Sequence, residues 1–231
     1  ERLFVMDLKR SAASLAFALG ACLAANAHAD IGVTLDAGTT GAGMHLVIPM
    51  ETYLNGRFGV NYVKHGFDKR SGGIDYNADA RLRTVDVLFD WYAFGTSQLR
   101  LTGGLVYNGN EVVARGRADD RGIYTINGRR YAAADVGTLD ARVDFQKAAP
   151  YFGIGWGNAL SPNRRWNFSG DLGAFYHGNA HVALGSVGCK SNAIVCAVLA
   201  SDVKAERARL AEELRDHKFF PVLRASLSYS F

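Results

Sequence analysis

Charged side chains recur at even spacings within apolar segments of the sequence, and they are the residues best placed to do chemistry. In a strand, positions two or four apart face the same side, so Asp86 and Asp90 would share a face. Carboxylates and guanidinium groups that converge in a narrow space pair with each other or contact small polar solutes and cations. The candidate set is Asp86, Asp90, Asp171, Arg57, Arg100, Asp140, Arg142, Asp144 and Arg224.

Two interpretations of this set stay open, and the function we predict from the sequence is a narrow or gated channel, with a non-transporting structural or surface-interaction barrel as the alternative. The first is a salt-bridged polar core that simply fills its space, since an unpaired charge in a narrow low-dielectric cavity costs several kcal/mol, about 3–5. The second is a narrow or gated pathway for small zwitterionic or cationic solutes, which a slight excess of aspartate over arginine would favour.

The histidines of the sequence do not form a recognisable catalytic arrangement. His177 and His181 are four residues apart, which places both on one face of a strand, and Asp171 precedes them. They could bind a metal ion or serve a lipid hydrolase, but no serine, histidine and acid form a recognisable nucleophile arrangement. His45 and His65 look isolated. The sequence therefore predicts no catalytic residue, no metal site and no cofactor.

The elements that position these residues show a period of two. In the C-terminal segment, Leu223, Leu227 and Phe231 fall on one face, whereas Arg224, Ser226 and Ser230 fall on the other. This alternation is typical of a strand with one apolar and one polar side. The same pattern recurs around residues 58–62, 85–91, 99–108, 139–146 and 166–177.

Apolar residues on such strands could face either a soluble sandwich core or lipid. Trp91, Trp156 and Trp166 stand at segment ends, as the aromatic belts of a membrane barrel require, and segments reach ten or more residues. Leu227, Tyr229 and Phe231 form the apolar, aromatic end that is typical of the last strand of an outer-membrane barrel, where it serves as an assembly signal. The pattern favours a transmembrane barrel, with a periplasmic sandwich as the alternative.

Turn lengths predict the strand count. Short turns with Gly, Pro, Asn and Ser, and long loops at 68–77, 115–136 and 185–218, give strands at 55–67, 78–93, 99–114, 138–157, 166–184 and 219–231. A tight turn at 38–41 adds strands 31–37 and 42–48, which makes an all-β, eight-stranded antiparallel up-and-down barrel. We expect a bulge at 147–150, where Pro150 lacks a backbone donor.

The first thirty residues predict export. Lys9 and Arg10 precede an uncharged, alanine- and leucine-rich segment that ends in Ala27-His28-Ala29. This order is typical of a cleaved signal peptide at 1–29, with residues before Met6 as a possible upstream extension and 30–231 as the mature domain. A lipoprotein with Cys22 at its start is the alternative.

The long loops carry structure of their own. Cys189 and Cys196 lie in a polar segment, and in an oxidising compartment they predict a loop-closing disulfide. Asn127-Gly128 predicts a hairpin turn within residues 124–131. Residues 201–216 read as a helix capped by Ser201, which could either cover the barrel mouth or pack locally.

Composition excludes other classes. The chain has 231 residues with 48% hydrophobic and 21% charged side chains, which fits an ordered protein. Its 26 basic and 22 acidic residues give a dispersed net charge of +4, so nucleic acid is not an expected partner. The expected partners are outer-membrane lipid and lipopolysaccharide, the barrel-assembly machinery through the last strand, and small polar solutes.

Several short motifs occur in the same order in a known family. They are residues 38–41, 126–131, 149–156, 173–179 and 182–184, followed by a charged helix that leads into 219–222. On these motifs the chain resembles the small outer-membrane barrel family that includes the carbapenem-associated CarO proteins. The resemblance implies an eight-stranded barrel with elaborate outer loops and selective uptake of small substrates such as basic amino acids. It carries over no functional residues.

Overall fold

The computed structural model describes residues 31–71, 74–93, 98–161 and 164–231. The predicted signal peptide at 1–29, with Cys22, lies outside the described residues. Within the described residues, thirteen strands and two helices follow one another. They are β1 (Gly32–Gly38), β2 (Gly41–Glu51), β3 (Leu54–Ser71), β4 (Ile74–Trp91), β5 (Leu99–Asn108), β6 (Glu111–Arg117), β7 (Ile123–Ile126), β8 (Arg129–Ala132), α1 (Ala133–Val136), β9 (Thr138–Asp144), β10 (Ala148–Trp156), β11 (Trp166–Tyr176), β12 (His181–Val187), α2 (Ala193–Glu213) and β13 (Phe219–Ser230).

Eight of these strands form a closed antiparallel ring in the order β1, β2, β3, β4, β5, β10, β11 and β13. The ring closes because β1 pairs with β13, for example Val33 with Tyr229, and because β4 pairs with β5, for example Val85 with Tyr107. The ring therefore has eight strands, the number predicted from the alternating segments and the lengths of the turns between them. We call the end at which β2, β4 and β10 finish and β3, β5 and β11 begin the lower end, and the opposite end the upper end.

Alternation along each strand separates two faces of the ring. On β4, Val85, Val87 and Phe89 are exposed on the outer face, whereas their neighbours Asp86 and Asp90 are 2% and 4% exposed. Apolar side chains therefore cover the outside and charged ones lie inside. A soluble sandwich would bury the apolar set between two sheets, and the structure does not do so.

The turn at 38–41 has the predicted place. β1 ends at Gly38 and β2 begins at Gly41, so Thr39 and Thr40 form the tight connection. Gly41 has a φ of +98°, a conformation that favours glycine. The predicted Asn-Gly hairpin is also present, since Asn127 and Gly128 have φ values of 50° and 77° between β7 and β8.

Three predicted strands are each interrupted. The segment 99–114 divides into β5 and β6, 138–157 into β9 and β10, and 166–184 into β11 and β12. The breaks occur at Gly109, at 145–147 just before Pro150, and at Gly178, whose φ is +70°. At each break the chain passes between the ring and the part of the same sheet above it, where β6, β9 and β12 lie, so single long strands were the wrong prediction.

The predicted loop at 68–77 is also wrong. β3 and β4 each run for 18 residues and stay paired up to Ser71 opposite Ile74. The reason is a continuing period of two, because Ile74, Tyr76 and Ala78 are buried on one face. Above the ring, β3 and β4 continue into an open sheet in the order β3, β4, β6, β9 and β12.

This open sheet, the β7–β8 hairpin and α2 form what we call the upper module, which has its own core. The core residues are Ile74, Tyr76, Tyr124, Ile126, Val136, Leu139, Ala141, Leu199 and Val203. Because it buries apolar side chains independently of the ring, the module is an ordered part of the fold.

The helix differs from its prediction. α2 begins at Ala193, and its N-cap is Asn192, whose side chain accepts a hydrogen bond from the Val195 amide at 2.9 Å. It ends at Glu213, so the predicted 201–216 with Ser201 as cap is wrong at its start. The first two turns of α2 were not predicted because the polar segment Cys189–Cys196 favours a loop. Within the described ranges, no helix is both long and apolar enough to cross a membrane.

Candidate functional site

The candidate site is the inner face of the ring, where the polar positions of several strands meet. Inward residues of β3, β4, β5 and β11 converge near the lower half, and those of β1, β2, β4 and β13 converge above them. The charged residues there form two clusters, which we call the lower and the upper cluster.

The lower cluster consists of Arg57, Asp90, Arg100 and Asp171. Arg57 donates from both terminal nitrogens to the Asp171 carboxylate, at 2.9 and 3.1 Å, and the second nitrogen also reaches Asp90 at 3.1 Å. Arg100 donates to Asp171 at 2.8 Å and to the Gly157 carbonyl. All four side chains are almost fully buried. Two guanidinium groups and two carboxylates make the lower cluster electrically neutral.

The upper cluster is built around His45. Its Nδ1 lies 2.7 Å from Asp36 and its Nε2 lies 2.8 Å from Asp86. Carboxylate oxygens only accept, so both ring nitrogens must donate and the imidazole carries a proton on each. Arg224 approaches the same two aspartates at 3.3 and 3.4 Å. The upper cluster is therefore also neutral, with two cations and two anions.

His45 is the functional residue that sequence reasoning missed. It looked isolated because its partners lie nine and 41 positions away along the chain. Its position on the polar face of β2 was the available signal, since Thr34, Asp36 and His45 all face inward once β1 and β2 form a hairpin.

Three predicted pathway residues do not join either cluster. Asp140, Arg142 and Asp144 lie on β9, which pairs with β6 and β12 above the ring. Their side chains are 48%, 56% and 30% exposed. The break at 145–147 separates them from the inward face of β10, so a continuous strand was the wrong basis for placing them inside.

Apolar side chains close the inside of the ring beside the clusters. Leu88, Val106, Ala149, Tyr151, Phe175 and Val222 form one buried group. The space between this group and the Asp86 and Arg224 side chains has no room for a water molecule. Around Leu88, Tyr151 and Phe175 the inside of the ring is thus filled by side chains.

A cavity of about 540 Å³ opens at the lower end of the ring. Amide and hydroxyl groups provide much of its lining, including Asn55, Tyr92, Asn158 and Asn167. Tyr92 donates to the Asn158 side chain at 3.2 Å, and Asn55 donates to it at 3.3 Å. This polar cavity ends below the lower cluster, since Asn55 is two residues from Arg57 on β3.

The two histidines predicted as a possible pair have different surroundings. His177 is buried among Phe145, Phe175 and Phe220, with ring centroids at 4.0, 5.9 and 6.3 Å. His181 is exposed and lies 3.5 Å from Asp144. Among the residues that the structure describes, no side-chain carboxylate or hydroxyl bonds to the His177 ring. The described residues contain no group of three or more His, Cys, Asp or Glu side chains that could bind a metal ion.

The upper module is fastened by buried acids on α2. Asp202 accepts hydrogen bonds from Tyr131 at 2.5 Å and from Asn127 at 3.0 Å, and these bonds lower the pKa of its carboxyl group. Glu206, one turn later, is 1% exposed, and burial raises its pKa. The disulfide between Cys189 and Cys196 is formed and joins the end of β12 to the first turn of α2.

The outer face of the ring is apolar, with aromatic residues at both ends. Trp91, Trp156 and Trp166 are each more than half exposed at the lower end, and Tyr62 and Tyr107 are equally exposed near the upper end. The apolar positions of β13 belong to this face, and the ring of Tyr229 lies 4.9 Å from that of Trp166 and 5.1 Å from that of Phe231.

Comparison with known proteins identifies relatives by fold. No family model matches the sequence, and no curated protein matches it significantly. The crystal structure of Acinetobacter baumannii CarO matches with a TM-score of 0.56 and 22% identity, covering 87% of this chain and 98% of that chain. Acinetobacter baumannii CarO2 matches with a TM-score of 0.56 and 20% identity over the same shares. The resemblance to CarO expected from the sequence is confirmed at the level of fold.

Proposed function

We propose that this chain, which has the fold of CarO, is an outer-membrane β-barrel that stays closed and presents the upper module outside the cell. The apolar outer face supports the membrane location, because lipid-facing residues of a barrel alternate with inward polar ones and are flanked by aromatic belts. Export through a signal peptide at 1–29 is part of the same proposal.

The packing inside the ring is the observation on which we choose between a channel and a non-transporting barrel. Both charged clusters are neutral and internally paired, and apolar side chains fill the space beside them. An eight-stranded ring is only wide enough for its own side chains. We therefore place the function on the exposed surfaces, as a structural or surface-interaction barrel, and assign the inner residues to stability.

A gated pathway for small polar, zwitterionic or cationic solutes, such as basic amino acids, is the second candidate. The polar cavity of about 540 Å³ at the lower end supports it, because a solute could reach Asn55 and Tyr92 just below Arg57. On this hypothesis Asp90, Asp171, Arg57, Arg100, Asp86 and Arg224 would have to separate to let it pass.

Conductance of purified protein in planar bilayers decides between the two. We expect no ion current above that of a protein-free membrane, and none after Asp90→Ala with Arg224→Ala, because the apolar group remains. Steady or voltage-gated current in the unaltered protein would instead support the pathway. Lipid hydrolysis, the least favoured alternative, is tested by turnover with and without His177→Ala.

The C-terminal strand should also act in assembly. Leu227, Tyr229 and Phe231 lie on the apolar side of β13, which closes the ring against β1. We propose that the barrel-assembly machinery recognises this strand. Replacing Phe231 with Ser should reduce the amount of folded protein in the outer membrane without changing the stability of the fraction that folds.

A further inference from the structure

Three cations lie side by side on the outer face, where the ring passes into the upper module. Lys64 on β3 stands directly opposite Arg81 on β4, and Arg83 stands opposite Tyr62. Paired residues of an antiparallel ladder share a face, so all three charges point outward. The Lys64 and Arg81 side chains are 49% and 47% exposed. We call Lys64, Arg81 and Arg83 the basic patch.

The basic patch begins where the apolar face ends. Tyr62 is two residues before Lys64, and Val85 is two residues after Arg83, and both are about half exposed on the same face. Two residues along a strand span roughly 7 Å. If the apolar face contacts acyl chains, the basic patch lies at the height of the lipid headgroups.

Neighbouring carboxylates of the fold neutralise the three positive charges of the basic patch only in part. Lys64 lies 3.5 Å from the exposed Asp79, an ion pair of little energetic value. Arg81 lies 3.7 Å from the buried Glu111, whose carboxylate is bonded more closely by Arg142, at 2.7 Å. Arg83 donates from Nε to the Gly109 carbonyl, and among the described residues it has no ion pair with a carboxylate. Like charges placed directly opposite each other on a sheet are destabilising. The basic patch therefore fits an external anion.

We propose that the basic patch binds the phosphate groups of a bisphosphorylated glycolipid in the outer leaflet, with Tyr62 and Val85 contacting its acyl chains. Guanidinium groups suit phosphate because their planar donors can bond two oxygens at once. The inference rests on the proposed outer-membrane location, and it goes beyond that location by naming the ligand chemistry and the three residues that recognise it.

The test compares two triple variants in lipid binding. The full-length protein, folded in detergent, is titrated with bisphosphorylated lipid A, and bound lipid is counted by native mass spectrometry. Lys64→Gln with Arg81→Gln and Arg83→Gln removes the basic patch. Arg70→Gln with Arg115→Gln and Arg117→Gln removes equal charge from the upper module and serves as control.

Each cation near an anionic lipid surface contributes roughly fivefold to binding. We expect the basic-patch variant to bind lipid A at least about tenfold more weakly, and the control variant to match the unaltered protein. Arg83→Gln alone should weaken binding about fivefold, and it keeps the test valid if the triple variant does not fold. Lipid A without phosphate should bind weakly to every variant, and inorganic phosphate should not displace the intact lipid.

Equal binding by both triple variants, or equal binding of dephosphorylated lipid A, would overturn the inference. Insertion into vesicles is measured on the same samples. Protein that inserts but ignores the phosphates contradicts the basic patch alone, whereas protein that does not insert contradicts the proposed membrane location.

Discussion

Replacing Asp171 with Asn should be among the most destabilising single changes available in the ring. Asp171 accepts three charge-assisted hydrogen bonds from Arg57 and Arg100, at 2.8, 2.9 and 3.1 Å, and is 3% exposed. Asparagine keeps the volume but removes the charge, which leaves two guanidinium groups facing Asp90 alone. Breaking a buried ion pair in this way costs about 3–5 kcal/mol.

Asp140→Asn is the matched control, because sequence reasoning assigned the same role to both aspartates. Its partner Arg115 is 83% exposed and lies 3.6 Å away. An exposed pair of this kind contributes about 0–1 kcal/mol. The two substitutions remove the same charge, and only their places in the fold differ.

Urea titration of protein folded into lipid vesicles, followed by tryptophan fluorescence, measures both free energies of unfolding. Asp171→Asn combined with Arg57→Gln should recover part of the loss, because the double variant restores neutrality in the lower cluster. If Asp171→Asn and Asp140→Asn differ by less than about 1 kcal/mol, the assignment of the lower cluster as a buried, neutral set is wrong.

Three further predictions concern the upper module. Replacing Cys189 and Cys196 with Ser should lower its free energy of unfolding by about 2–3 kcal/mol and increase hydrogen exchange at the start of α2. Asp202→Asn should cost about 1.5–3 kcal/mol at neutral pH; because the pKa of Asp202 is lowered on folding, this stability is present above its ordinary pKa of 3.8 and is lost as the pH falls below it. The pKa of Glu206 is raised, so its contribution is full below its ordinary pKa of 4.5 and lost as the pH rises; Glu206→Gln should therefore make the module more stable than the unaltered protein at pH 7, and equal melting temperatures would contradict the burial of its charge.

Much of the ring could be predicted from the sequence, because alternation of apolar and polar residues shows directly which side of a strand is apolar. Asp86, Asp90, Arg57, Arg100, Asp171 and Arg224 were placed inside by this rule alone. The rule predicts the wrong location where apolar and polar residues continue to alternate but the chain has left the ring for the strands above it. Asp140 and Arg142 keep the phase of a ring strand, yet β9 ends two residues after Arg142, at Asp144, and the ring strand β10 begins only at Ala148.

Long-range pairing explains what else was missed. His45 carries no local signal for its role, since its partners come from β1 and β4 and meet only when the ring closes. The first two turns of α2 were missed because Lys190, Ser191 and Asn192 make the segment around the cysteines polar, which favours a loop. The sequence alone does not distinguish Asp202, which is buried and accepts hydrogen bonds from the β7–β8 hairpin, from a solvated acid on the helix surface.

The uninterrupted course of β3 and β4 has a mechanical consequence. Both strands run from the lower end of the ring to Ser71 and Ile74 with no hinge between the two bodies they serve. A force applied to the upper module along the axes of β3 and β4 would load many inter-strand hydrogen bonds at once, so these bonds would have to break together. The hairpin therefore couples the upper module directly to the ring, and on the proposed membrane location it would hold the module at a fixed distance from the lipid surface.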